Sequence, residues 1–203
     1  FRGLAGYWRV NGNSQSAICG KWINSPGKAL LNKLKKDFGH ECLPIIAEDL
    51  GVITPDVEKL REFFKLPGMK ILQFAFDGNE NNPYLPKNIE GDNWVVYTGT
   101  HDNSTSLSWW ECLDNESKTR IKSEYKFSET PSWSLIKIGM DTNANLFIAP
   151  IQDILSLDDS SRLNTPGTTK NNWKWKLNRP LEEIEENIRI FGELGNNFGR
   201  TRK

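Results

Sequence analysis

Cysteine is scarce in this chain of 203 residues, with only Cys19, Cys42 and Cys112 present. The number is odd, the spacing irregular and the density far too low for a disulfide-stapled scaffold, so reduced thiols in an intracellular protein are expected. Histidine is scarcer still. Neither His40 nor His101 stands at ligand spacing from a cysteine or a second histidine, which argues against a zinc motif. No metal or cofactor is expected. His40 follows Gly39, a helix-stop residue, and reads as a surface residue near a helix end. Charge of one sign is also lacking: 26 basic and 26 acidic side chains give a formal net charge of zero. Without a basic excess or a charge block, nucleic acid and membrane surfaces are poor partners, and small neutral substrates fit better. No apolar run approaches the roughly 18 residues of a membrane span. The opening Phe1-Arg2-Gly3 is neither an initiating methionine nor a signal peptide, so the chain reads as a piece of a longer one.

Tryptophan, by contrast, is abundant. The chain carries eight, at positions 8, 22, 94, 109, 110, 133, 173 and 175. Large aromatics mostly serve as core or rim residues. Sugar rings, however, have apolar faces that pack on indole as other apolar surfaces do, so two or three of these residues are candidates for ligand contact.

Lys28 to Phe38 places Leu30, Leu31, Leu34 and Phe38 at helical spacing with lysines between them, and Gly39 ends the segment. The unbroken apolar run Leu43 to Ala47 predicts a strand buried on both faces. Thr54-Pro55-Asp56 then supplies a cap, a first-turn proline and a dipole-complementing carboxylate for a helix to about Phe64. Met69 to Phe76 predicts a second strand, closing at Asp77-Gly78. The polar segment from Asn79 to Asp92 is long enough for a substrate loop. Trp94 to Thr98 reads as a third strand, followed by helices over 106–113, 116–127 and from Pro131 to about Gly139. Leu146 to Ala149 reads as a fourth strand. Pro180 opens a last helix with Leu181, Ile184, Ile188 and Phe191 on one face.

Strand and helix thus alternate four times, the pattern of an α/β fold with a parallel sheet covered by helices. Four such units are half of a (β/α)₈ TIM barrel, which needs roughly 250 residues when complete. The expectation is that residues 1–203 form the C-terminal half of a catalytic barrel, with no second domain and with the first half upstream of Phe1.

In a parallel barrel, chemistry gathers at the carboxyl ends of strands. Two strand ends here carry the right groups. The third strand opens into Thr98-Gly99-Thr100-His101-Asp102-Asn103, and the first ends in Glu48-Asp49. From these residues alone, Glu48 and Asp102 pair as the acid and the nucleophile of a glycosidic site.

Several segments in order then carry a family resemblance. They are Phe1-Arg2-Gly3 with Tyr7-Trp8, Ala47-Glu48-Asp49-Leu50-Gly51-Val52-Ile53-Thr54-Pro55, Leu66-Pro67-Gly68-Met69-Lys70, Gln73-Phe74-Ala75-Phe76-Asp77, Tyr97-Thr98-Gly99-Thr100-His101-Asp102-Asn103 and Arg162-Leu163-Asn164-Thr165-Pro166-Gly167. Together they resemble the 4-alpha-glucanotransferases, also called amylomaltases or disproportionating enzymes, over almost the entire chain.

The resemblance implies a (β/α)₈ barrel of the alpha-amylase clan that moves alpha-1,4-glucan segments between maltooligosaccharides and a glucose acceptor, with retention of configuration and without a cofactor. By the family motif Glu48 is the acid/base, and its apolar approach through Ile45, Ile46 and Ala47 would desolvate it and raise its pKa toward working pH. Asp102 becomes the third carboxylate, which stabilises the transition state, rather than the nucleophile.

The family's nucleophile lies in the motif Arg-x-Asp-His-Phe-Arg-Gly, of which only Phe1-Arg2-Gly3 is present. The nucleophile would then precede Phe1, in the missing N-terminal half of the same enzyme, and the 203-residue chain would be inactive alone. The resemblance further implies sugar contacts at His101, Phe74, Asp77, Gly51 and Asn164, with Tyr7 and Trp8 near the site. The alternatives are an alpha-glucan hydrolase of the same clan and a non-catalytic glucan-binding fragment. A bacterial cytoplasm or a plastid stroma would suit either activity.

Overall fold

A computed structural model describes residues 1–39 and 41–201. His40, expected at the surface, lies outside the described residues. The chain divides into two compact units, Phe1–Met69 and the remainder from Lys70 onward.

Unit 1 begins with an antiparallel hairpin, β1 (Gly6–Val10) and β2 (Gly20–Asn24). Trp8 stands opposite Trp22 and their rings meet edge-on at 5.5 Å, a cross-strand aromatic pair of the kind that stabilises sheets. The Trp8 indole N–H donates to Ala17 O at 2.8 Å and its ring lies over Gly20, where a Cβ would come within 2.4 Å of it. Helix α1 (Gly27–Phe38) ends as its sequence predicts, with Gly39 at φ +64°. Helix α2 (Pro55–Phe63) starts on Pro55 with Asp56 and Glu58 in the first turn. Thr54 does not cap it through a backbone bond. Its side chain instead hydrogen-bonds Asp56, which helps hold that carboxyl below the usual carboxylate range.

Residues 43–47 differ from expectation. They are not a ladder strand: Ala47 N donates to Pro67 O at 2.8 Å, but Ile45 N turns back to Leu43 O and Pro44 has no N–H to give. Leu43 and Ala47 still pack with Leu31, Phe64 and Leu66 as the core of the unit.

Unit 2 is built on a sheet in the order β3 (Gly68–Ile71, of which Lys70 and Ile71 belong to this unit), β4 (Trp94–Tyr97), β5 (Leu146–Ile148). Strands β4 and β5 are parallel, with Val96 opposite Phe147. Helices α3 (Ser106–Cys112), α4 (Asn115–Tyr125) and α5 (Pro131–Met140) form the crossover between them, as parallel pairing requires. The second expected strand stops short, because the chain turns into a 3₁₀ helix over Leu72–Phe74. Leu72, Phe76, Val96, Trp110, Phe127 and Leu135 form the main core, with Trp110 stacked on Phe127 at 5.0 Å.

The short helix α6 (Ile151–Ile154) follows β5, and α7 (Glu185–Asn197) closes the unit. Phe191 and Leu194 pack on Ile136, Met140 and Ile154. Leu181 lies in a separate 3₁₀ turn and is exposed, so the single apolar face expected from Pro180 onward breaks at that turn. The Asn79–Asp92 segment is laced to itself and its surroundings, Asn82 Nδ2 donating to Phe74 O at 2.7 Å and Asn88 Nδ2 to Asn82 O at 2.8 Å.

Among the described residues no helix is long and apolar enough to cross a membrane.

Candidate functional site

Strand β4 ends at Tyr97, and the loop 98–105 that follows carries the His-Asp-Asn triplet to the start of α3. The side chains of His101 and Asp102 are 49% and 50% exposed, with His101 Nε2 3.2 Å from Asp102 Oδ1. The same oxygen accepts from Asn164 Nδ2 at 2.6 Å. Three residues singled out in the sequence, His101, Asp102 and Asn164, therefore form one cluster. The third member of the triplet does different work: Asn103 Oδ1 accepts from Thr100 N at 2.9 Å and Thr100 Oγ1 at 2.7 Å, so its carboxamide braces the loop.

The loop is fixed by four side chains, none of which sequence reading chose as a site residue. Gln73 Nε2 donates to Ser104 O at 2.9 Å. Asp159 Oδ1 accepts from Thr105 N at 2.8 Å. Arg162 spreads its guanidinium over Asp102 O at 2.7 Å, Ser104 Oγ at 3.2 Å and Asn164 O at 2.8 Å, bracketing the backbones of both members of the Asp102–Asn164 pair.

Asp153, only 1% exposed, accepts from the Thr98 hydroxyl and from Ser106 through both N–H and Oγ–H, each of the latter at 2.7 Å. One carboxylate thus ties the end of β4 to the first turn of α3, where negative charge suits the helix dipole. Burial pushes its carboxyl pKa up, and the hydroxyl and N–H donors oppose that rise. The signal for Asp153 was available, since an acidic residue inside Ile151-Gln152-Asp153-Ile154 directly after an apolar strand is a carboxylate that must find donors.

The cleft beneath the cluster, lined by Thr100, His101, Asn103, Asp153 and Arg162, has a volume of about 40 Å³, room for water rather than a sugar ring. Beside it, Asn164, Thr165, Lys170 and Asn172 line a wider polar cleft of about 330 Å³. Trp173 leans over His101 with ring centroids 4.9 Å apart.

Within unit 2, Phe74 and Asp77 make other contacts. Phe74 is exposed and meets Tyr84 edge-on at 5.5 Å. Asp77 is a turn former, its carboxylate accepting from Asn79 N at 2.9 Å. That bond, with the Asn82 side chain, holds its carboxyl below the usual carboxylate range.

In unit 1, Gly51 sits at φ +80° with open space where a Cβ would be, so the turn itself requires glycine. Glu48 has a side chain 63% exposed, and Ile46, two residues before it, is exposed while Ala47 between them is buried, so the apolar approach does not bury the Glu48 side chain. Asp49 is the buried member of the pair: its carboxylate accepts from Met69 N at 2.7 Å and lies 3.3 Å from Arg61 Nε.

A family model described as 4-alpha-glucanotransferase matches residues 1–182. The chain belongs to that family. Among relatives, it is 42% identical to the 4-alpha-glucanotransferase of Thermus thermophilus over 87% of the chain and 37% of the relative. It is 46% identical to the chloroplastic/amyloplastic enzyme of Arabidopsis thaliana over 98% of the chain and 35% of the relative. A family structure, the amylomaltase of Streptococcus agalactiae in complex with acarbose, superposes over 100% of this chain and 41% of its own, at TM-score 0.90 and 32% identity. The chain therefore spans little more than a third of the length of these relatives.

Proposed function

We propose that the chain supplies the proton-donating and transition-state-stabilising part of a retaining 4-alpha-glucanotransferase, built as the C-terminal half of a (β/α)₈ barrel. Its substrates would be maltooligosaccharides and a glucose acceptor. The observation that carries this reading is the neighbourhood of Glu48. Phe1 N lies 3.6 Å from Glu48 Oε2 and donates to Glu48 O at 2.8 Å. In the family motif the nucleophilic aspartate stands two residues before this phenylalanine, within about 7 Å of chain. A carboxylate there is within reach of the separation of about 5 to 5.5 Å that a retaining pair needs.

The chemistry follows from that pairing. The upstream aspartate attacks the anomeric carbon while the Glu48 carboxyl protonates the leaving glycosidic oxygen, giving a covalent glycosyl-enzyme. The Glu48 carboxylate then takes the proton from an acceptor glucose hydroxyl as that oxygen displaces the aspartate. Asp102, oriented by His101 and Asn164, meets the sugar hydroxyls as positive charge builds on the ring. Whether water or sugar intercepts the intermediate depends on how well the site excludes water. The exposed aromatics favour a sugar acceptor. By the same resemblance Phe74 and Asp77 are read as lining the acceptor side, and Gly51 as letting a sugar ring approach the backbone. Relatives in bacteria and in plastids make either a cytoplasm or a stroma a fitting location.

The test is glucose release from maltotriose. The 203-residue chain is expected to give none, and a chain extended upstream through Arg-x-Asp-His and the preceding strands of the barrel is expected to be active. In that extended protein Glu48→Gln should lower turnover by a factor of at least about 10². Near-normal turnover of Glu48→Gln would remove the acid/base assignment, and glucose yields that ignore added acceptor would identify a hydrolase.

A further inference from the structure

Trp173 stands at φ +60°, in the left-handed region that a bulky side chain rarely adopts, and Asn171, two residues before it, is at φ +62°. The surrounding loop enforces this. Trp173 N donates to Leu163 O at 2.7 Å, closing the loop between them. Inside it, Asn172 Oδ1 accepts from Thr165 N at 3.0 Å, and Asn172 Nδ2 donates to Thr168 O at 3.0 Å.

Burial does not repay the strain, because Trp173 remains 63% exposed. Its ring instead tilts at 39° against the His101 imidazole. His101 touches Asp102, and Asp102 touches Asn164, which lines a polar cleft. A strained backbone that holds a largely exposed indole beside a cluster of hydrogen-bonding groups answers a ligand with both a polar rim and an apolar face. A pyranose ring is such a ligand.

We infer that Trp173 is a specificity-determining residue, the apolar wall on which a glucose ring stacks while His101, Asp102 and Asn164 hold its hydroxyls. The inference rests on the glucan-binding reading of this cluster, and the experiment separates the two. Acarbose is titrated into the chain and followed through the imidazole NMR signals, of which the sequence offers only two, and thermal unfolding is recorded in parallel. Trp173→Phe keeps a stacking face and should bind within about threefold of the wild type. Trp173→Gly should weaken binding by about five- to tenfold. Because glycine is at ease in the left-handed region, its thermal midpoint should equal or exceed that of the wild type.

Loss of binding without loss of stability is the signature a merely structural tryptophan would not give. If Trp173→Gly loses stability and binding together, the ring is structural and the inference fails. If it binds as the wild type does while Asp102→Asn or Asn164→Ala weakens binding, the inference fails and the glucan site stands. If the wild-type chain shows no acarbose-dependent shift at His101, both fall.

Discussion

Replacing Asp153 is the sharpest test of how the His101-Asp102 loop is held. Asp153→Ala removes acceptors from three donors: the Thr98 hydroxyl, the Ser106 hydroxyl and the Ser106 backbone N–H, on residues that are fully buried. The two hydroxyls can rotate toward other acceptors, so each costs about 0.5–1 kcal/mol at most. The N–H cannot turn, and leaving it unpaired costs about 1–3 kcal/mol. Against this stands the relief of no longer burying a carboxylate, and the adjoining cleft of about 40 Å³ can admit a water to the vacated space.

The balance for Asp153→Ala is a loss of about 2–4 kcal/mol in unit 2. Asp153→Asn keeps one oxygen for Ser106 N and should lose about 1–2 kcal/mol. Urea unfolding monitored by hydrogen exchange of the Val95–Thr98 amides localises the measurement to β4. If Asp153→Ala lay within about 0.5 kcal/mol of the wild type, the desolvation cost would have outweighed the bonds and the clamp would be an incorrect description. Equal losses for Ala and Asn would show that the Ser106 N–H was never the dominant partner.

Two further outcomes are expected. At Gly139 in α5, an added Cβ would sit 2.1 Å from Phe147 Cε2 and 2.6 Å from Cδ2, so Gly139→Ala should lower stability by about 1–2 kcal/mol despite its better helix propensity. A raised thermal midpoint would show that Phe147 yields freely. The Asp77 carboxyl is held below its ordinary value of 3.8, so its contribution is complete above that pH and is lost as pH falls through the lower folded value. Asp77→Asn should therefore differ from wild type in urea midpoint near neutrality and converge with it as pH falls through the lower folded value, whereas a pH-independent difference would exclude the charge as its source.

Local signals carried much of the fold. Gly39 stopping α1, Pro55 starting α2 and Pro131 starting α5 are decisions made by one or two residues, and each stands as its chemistry dictates. The hairpin was not legible, because Trp8 and Trp22 are separated by a long polar loop and their pairing is a tertiary fact. Leu43–Ala47 read as a strand on apolarity alone, but a ladder needs donors in register, and Pro44 with a turned-back Ile45 removes them.

The site divides the same way. His101 and Asp102 announce themselves as a polar pair at a strand end. That Asn164 would meet Asp102, or that Asp153 would clamp both ends of the loop, depends on the β4–β5 pairing, which the linear pattern cannot state. Arg162 opens the segment Arg162-Leu163-Asn164-Thr165-Pro166-Gly167, yet its role as a bracket emerges only when Asp102 O and Asn164 O lie on either side of one guanidinium.

The side chains that hold the 98–105 loop, Gln73, Asp153, Asp159 and Arg162, are not the ones that would meet a sugar. His101 and Asp102 stand on the finished support with half their surface in solvent. Their replacement should leave the folded molecule nearly as durable as before. The loop can therefore serve as an interchangeable tool head: new side chains can be tried at positions 101 and 102 without rebuilding the mounting that carries them.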